Sequence, residues 1–561
     1  MRKFGVTEIL PYVWLLFLLG TLLIAAQTAY RKSLITEEYA YACDPFGYLR
    51  MAKEIRQAAS DHNAPQFKLE SDQTRQLIEF MKARNVPLPQ WEEVVAPHAH
   101  HYFPKSDTVA VQYPPGTALA LAMFPEGSAV YDLNRVVILI LVLTGLFALF
   151  IAGWYRAWFS AGLAVLGLQV GLSILARIGS ISFSINATLI PILASLICAL
   201  LALRLQAVTR MRLAWLAALA CGVLLGFAVQ VRITNVLFVP GLILLLWPRS
   251  RPLRAGNLAL PVILAVLLIG VLPVLIYQQK IAGAWYLPTY GRVDASAPTL
   301  TRIAHNVSYY FGEGYASEDN WALLCALVGF AGVALLLRIF RKSQIVSRLG
   351  IGYKRLALGA LLVWLIPTVF FLSHAIHGLH YSMPTTFATI VLLGLGSLAI
   401  EAASGGKAVE TRRFQMRRIL GFALIVLSAA GGLAHAWRDR TATPAPAIAP
   451  VHAEIVLPPE ISNTRSWVWA DMLTGTLWYY HNKPAFKIQF TDPPTRAMIF
   501  KFVFDRGDQQ YLIQDSERMQ LFMDEIIQLG GTLEPKGQID GSPYFLIHWP
   551  ASGPSAVKNQ A

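Results

Sequence analysis

Long uninterrupted apolar runs constrain this chain more than any other feature. They recur near residues 9–29, 133–153, 158–176, 183–203, 212–231, 258–277, 320–338, 357–374, 383–400 and 419–437, with a shorter run at 233–247. A bilayer core of about 30 Å is crossed by about 20 helical residues, and in lipid only helices or closed barrels satisfy every backbone polar group. The pattern predicts an α-helical polytopic membrane protein with about eleven transmembrane helices, the sixth of them short, broken or tilted. Composition agrees, because only 14% of the 561 residues are charged, against roughly 25% in soluble domains.

The net charge of +14 would suggest nucleic acid in a soluble chain. Here Lys and Arg fall in the short segments between apolar runs: Arg156; Arg204, Arg210 and Arg212; Arg249, Arg251 and Arg254; Arg338 to Arg355; and Lys407 to Arg418. All of these land on one side when the N-terminus is cytoplasmic, which is the positive-inside pattern. It excludes nucleic acid as a partner and predicts a multi-pass protein of a bacterial inner membrane. The first run is read as an uncleaved span, and an odd number of spans puts the C-terminus on the periplasmic side. The four cysteines, Cys43, Cys198, Cys221 and Cys325, form no CxxC pair, so they carry no zinc or redox signature.

The organisation read from the chain is a transmembrane domain over 1–437, with a large first outer loop at 30–132, and a small C-terminal α/β domain outside the membrane over 438–561. A second outer segment runs from 278 to 320. In the first loop, 44–57 and 72–82 read as amphipathic helices. In the C-terminal domain, 497–504 and 510–513 read as strands, 516–530 as a helix and 543–549 as a final strand. A Pro/Ala linker at 441–450 opens that domain, and the tail after Pro550 is read as disordered.

The chemistry-bearing residues concentrate in the first loop. Asp44 follows the first apolar run and precedes Pro45. It suits a helix N-cap with Pro at the first helical position. It equally suits a general base, a carboxylate near the interface that takes a proton from an acceptor hydroxyl. The loop ends with Gln112-Tyr-Pro-Pro-Gly-Thr-Ala-Leu-Ala-Leu-Ala-Met-Phe, a stiff bend entering a short apolar helix.

The order of these features, an outer Asp, then Pro-Pro-Gly before an apolar helix, then Arg135 at the start of the next span, resembles the GT-C superfamily of membrane glycosyltransferases. The resemblance runs to the bacterial relatives of protein O-mannosyltransferases and lipid A aminoarabinose transferases. Further segments fit: Gly222 to Pro240 with Arg232 inside it, Tyr277 to Tyr290, the His380-Tyr-Ser-Met-Pro segment, and Thr474 to Pro484, taken as a strand and turn. The resemblance implies a hexosyl- or pentosyltransferase. The donor would be a polyprenyl-phosphate-linked sugar and the acceptor a glycan, lipid or protein. Transfer would be inverting, on the non-cytoplasmic face, with Asp44 as base. Candidate substrate contacts are Tyr48, Tyr113, Arg135, Arg232, Lys280, His377, His380 and Tyr381, with Arg177, Lys105, Arg302 and Glu313 as further charged candidates. The sequence departs from the family where Tyr113 stands in place of a Lys before Pro-Pro, where Pro45 replaces a second acid, and where His380 replaces an Arg.

His98, His100 and His101 cluster, as do His374, His377 and His380. No Glu completes an HExxH motif, and no cofactor or metal is assigned. A transporter or flippase is the main alternative, disfavoured by the long first loop and the absence of internal repeats. A non-catalytic envelope-glycan assembly subunit is the third reading.

Overall fold

The computed structural model describes residues 6–35, 38–155, 157–178, 183–247, 257–290, 298–310, 353–375, 378–403 and 455–554. Contacts divide the chain into two units.

The first unit comprises Met1–Thr36, Ser128–Val274 and Arg292–Pro444. Among the described residues, eight helices of the chain are long and apolar enough to cross a membrane. These match eight of the predicted spans: α1 (Val6–Ile35), α5 (Ala129–Tyr155), α6 (Trp158–Ile178), α7 (Phe183–Ala207), α8 (Met211–Val231), α10 (Ala259–Ala282), α12 (Tyr353–Ser373) and α13 (Leu379–Ala403). Two predicted spans, 320–338 and 419–437, lie outside the described residues. The predicted short sixth element is a 3-10 turn, Ile233–Phe238, running into α9 (Val239–Leu246). Fourteen residues in that form do not reach across about 30 Å of hydrocarbon, so α9 is not counted as a span.

Packing in this unit is set by small residues. Helices α6 and α13 are its centre, 89% and 78% buried over their apolar windows. They meet so closely that a Cβ on Gly394 would lie 2.3 Å from the Ala164 nitrogen. Without a hydrophobic drive between helices in lipid, such backbone approach is what supplies dispersion contact. Buried amides add polar ties: Asn186 Nδ2 donates to Asn134 Oδ1 at 3.2 Å, and Asn235 Nδ2 donates to the Ala228 carbonyl at 2.7 Å. Asn306, in α11 (Leu300–Ser308), is fully buried and donates to the carbonyls of Leu372 and His374. It serves as a tie at the end of α12.

The second unit comprises Glu37–Gly127, Leu275–Gly291 and Ala445–Ala561. The boundary drawn at 437/438 falls outside the described residues. The first-loop helices form as expected: α2 (Asp44–Ser60) and α3 (Asp72–Ala83), the latter N-capped by Ser71. The loop also contains a small antiparallel sheet that the sequence reading missed, ordered β1-β3-β2: β1 (Lys68–Leu69), β2 (His100–Phe103) and β3 (Thr108–Val111). α4 (Gly116–Ala122) follows the Pro-Pro-Gly bend as predicted.

The C-terminal part is a four-stranded sheet, ordered β4-β5-β7-β6: β4 (Ser466–Trp469), β5 (Gln509–Ile513), β6 (Thr532–Ile539) and β7 (Ser542–His548). β4 and β5 are parallel, joined through α14 (Thr474–His481) and α15 (Pro493–Asp505); β6 and β7 form an antiparallel hairpin. Helix α16 (Glu517–Gln528) stands where a helix was predicted. Two readings are corrected. Residues 497–504 are helical, since Asp492 accepts from the Thr495 N–H and Pro493 and Pro494 open the first turn. The Thr474 to Pro484 stretch is a helix ended by Asn482 in the left-handed region at φ 50°, with Gly475 lying against Phe46.

Candidate active site

Asp44 does not cap its helix. Cys43 occupies the N-cap position with no side-chain cap bond, and Asp44 is the first helical residue. There its charge is favoured by the helix N-terminus. Oδ1 accepts a 2.5 Å hydrogen bond from the Tyr113 hydroxyl.

Three features fix that contact. Gln112 and Tyr113 leave β3, and the Gln112 backbone is pinned on both sides: its N–H donates to Ala99 at 2.9 Å and its carbonyl accepts from the Thr289 hydroxyl at 2.6 Å. The Tyr113 ring stacks on Tyr48, centroids 4.4 Å apart at 22°. Finally, Gly47 leaves space for it, because a Cβ there would come within 2.6 Å of the ring. Tyr48 and Tyr113 are both buried. Burial first, and the adjacent Asp44 charge second, push the Tyr113 hydroxyl well above its ordinary range, so it remains a donor.

Hydrogen bonds continue on the far side of Tyr113. Its oxygen lies 3.0 Å from Cys43 Sγ, and Gln112 Nε2 lies 3.6 Å from the same sulfur. Gln112 Oε1 is 2.6 Å from His101 Nε2, and His101 Nδ1 is 3.4 Å from Glu93. Glu93 pairs with the buried Lys487 at 3.2 Å. Burial alone would raise the Glu93 carboxyl, but the His101 hydrogen bond and the Lys487 charge outweigh it and hold it at about 2.

A second acidic centre was not anticipated. Asp471, fully buried, accepts from Gln489 Nε2 at 2.6 Å and Ser516 Oγ at 2.8 Å, with His98 Nε2 at 3.1 Å. Asp515 accepts from the backbone N–H groups of Asp471 and Leu473, and burial pushes its carboxyl up to about 6. These partners come from four separate segments, and no local motif announces them.

The other predicted residues are dispersed. Exposed Lys280 donates to the Pro65 carbonyl at 3.4 Å, and Lys105 donates to the Tyr286 hydroxyl at 2.7 Å. In the helical unit, Arg135 is exposed, with its guanidinium 3.6 Å from the Tyr131 ring centroid and 3.2 Å from the Tyr30 hydroxyl. Arg177 lies in the last turn of α6 and Arg302 in the first turn of α11. Arg232 occupies the break between α8 and the 3-10 turn, in extended conformation. Its guanidinium sits over the Tyr381 ring at 5.1 Å, and its buried Nη1 has no hydrogen-bond partner among the described residues. Tyr381 itself stacks on Phe371. His380 is on the first turn of α13, while His377 and Glu313 lie outside the described residues. Among the described residues no group of three or more His, Cys, Asp or Glu is placed to hold a metal ion.

No family model and no curated protein matches this chain. Among solved structures it is similar to the oligosaccharyltransferase of Archaeoglobus fulgidus. The apo form is 12% identical with a TM-score of 0.41, over 89% of this chain and 69% of that one. The archaeal oligosaccharyltransferase AglB from the same organism, in complex with an inhibitory peptide and a dolichol-phosphate, is 11% identical with a TM-score of 0.43, over 94% and 74%. At such identity and score the likeness decides nothing about substrate or mechanism.

Proposed function

We propose that this protein is a membrane glycosyltransferase that moves a sugar from a polyprenyl-phosphate donor to a hydroxyl-bearing glycan, lipid or protein acceptor, with inversion and with Asp44 as general base. It would work on the periplasmic face of a bacterial inner membrane. The observation that carries the reading is the state of Asp44. The carboxylate is half-buried at the first residue of a helix and accepts a 2.5 Å hydrogen bond from the buried Tyr113 hydroxyl.

In the proposed reaction the acceptor oxygen attacks the anomeric carbon while Asp44 takes its proton. The bond from that carbon to the phosphate oxygen breaks, and the electron pair leaves with the polyprenyl phosphate. Arg232 is assigned, separately, to the lipid phosphate. A guanidinium in an apolar helical unit with an open N–H is costly unless an anion meets it. Its planar fork suits phosphate, and Tyr381 holds the plane in place.

The test is turnover of the purified full chain in liposomes supplied with a bacterial lipid extract containing polyprenyl-phosphate sugars and an envelope-glycan fraction. Mass spectrometry should find free polyprenyl phosphate released by the wild type and none above background with Asp44→Asn. Equal release by both proteins refutes the assignment.

A further inference from the structure

The hydrogen bonds behind Asp44 have a direction, and the chemistry of each group fixes it. Tyr113 has one hydroxyl hydrogen, and it goes to Asp44. Its oxygen is therefore the acceptor for the Cys43 thiol at 3.0 Å. Burial pushes that thiol up to about 11, so the sulfur keeps its hydrogen. Having given it to Tyr113, the sulfur can only accept from Gln112, which places the amide nitrogen toward Cys43 and the amide oxygen toward His101. His101 Nε2 must then carry a hydrogen. The other ring nitrogen faces Glu93, an acceptor-only carboxylate whose charge is secured by the Lys487 ammonium 3.2 Å away.

We infer that a one-way hydrogen-bond chain runs from His101 Nε2 through Gln112, Cys43 and Tyr113 to Asp44, and that the first four residues position the Asp44 carboxylate for its work as a base. Each link is a donor aimed at the next acceptor, so each is strengthened by its neighbours. The chain holds one oxygen of Asp44 in a fixed direction without removing its charge. None of the four touches the reacting atoms by this account; they act through Asp44. The titratable and charged groups around His101 are Glu93, Lys487 and His100, the neighbouring residue of β2. Of these His100 is buried and, its ring being pushed well below the ordinary histidine range by burial, stays neutral.

The inference rests on Asp44 being the base, and two readouts separate the two ideas. The first needs no activity: nitrogen NMR of the full chain labelled at histidine, with His101 identified by its loss in His101→Asn. Nε2 of His101 should carry a hydrogen. A bare Nε2 overturns the chain. The second is steady-state kinetics. Tyr113→Phe keeps the ring stack and Gln112→Leu keeps the side-chain volume. Each should lower kcat about tenfold or more with KM within about twofold, since an orienting group acts on the transition state rather than on binding. Wild-type kcat in both variants, with Asp44→Asn inactive, overturns the positioning role and leaves the base assignment standing. An active Asp44→Asn overturns the base assignment and with it the positioning role.

Discussion

At the scale of single residues, the account turns on one carboxylate and one guanidinium. Asp44→Asn is isosteric and can still accept from Tyr113, so the protein should fold while transfer falls about 10²- to 10⁴-fold, the usual contribution of a general base. Arg232→Lys should raise the donor KM about tenfold with little change in kcat, because an ammonium cannot reproduce a planar fork resting on Tyr381. Asp515 offers a test of the second unit that is independent of activity. Burial holds its folded pKa at about 6, above the ordinary aspartate value of about 3.9. Between those values the folded state holds the extra proton, so this group's stabilisation is complete below about 4 and is lost as pH rises toward about 6. The melting temperature of Asp515→Asn, in detergent, should therefore gain on wild type across that window and run parallel above it. Much of this was visible in the sequence only in outline. Asp44 stood out by its place after the first apolar run. Its partner lies 69 residues away, so spacing suggested a cap where the fold supplies Tyr113. Asp471 and Asp515 carried no local signal at all.

At the scale of elements, periodicity served the helices better than composition served the strands. The amphipathic runs at 44–57 and 72–82 are helices because their apolar faces repeat every three to four residues. The stretch 497–504 is rich in Ile, Phe and Val and reads as a strand, yet Asp492, Pro493 and Pro494 commit the chain to a helix start. Capping chemistry overrode β propensity, and that signal was present in the sequence. The small sheet of the first loop escaped notice because its strands have two to four residues and draw their stability from pairing with distant partners. Gly47 is the element-scale feature with most consequence. Helix α2 could carry Ala there at no conformational cost, but the methyl would meet the Tyr113 ring at 2.6 Å and the Ala99 Cβ at 2.7 Å. Gly47→Ala should destabilise the second unit by about 1–3 kcal/mol and lower transfer by displacing Tyr113. A melting curve read beside the transfer rate checks both effects.

At the scale of the whole molecule, hydropathy alone identified eight helices that the structure confirms as long and apolar enough to cross a membrane. The positive-inside reading of the basic segments between them predicts accessibility. Cysteines placed at exposed Asn85 and Lys536 should react with a membrane-impermeant maleimide added to intact cells whose outer membrane has been opened. A cysteine at exposed Thr209, between α7 and α8, should react only after the inner membrane is breached. The reverse pattern would put Asp44 on the cytoplasmic side.

The sharpest test of the central claim compares envelope glycans, by mass spectrometry, from cells with the intact gene, cells without it, and cells carrying Asp44→Asn at matched protein level. The account predicts a sugar addition present in the first and missing from both others. A glycan profile in the Asp44→Asn cells identical to that of the intact strain, and distinct from the deletion, would contradict it.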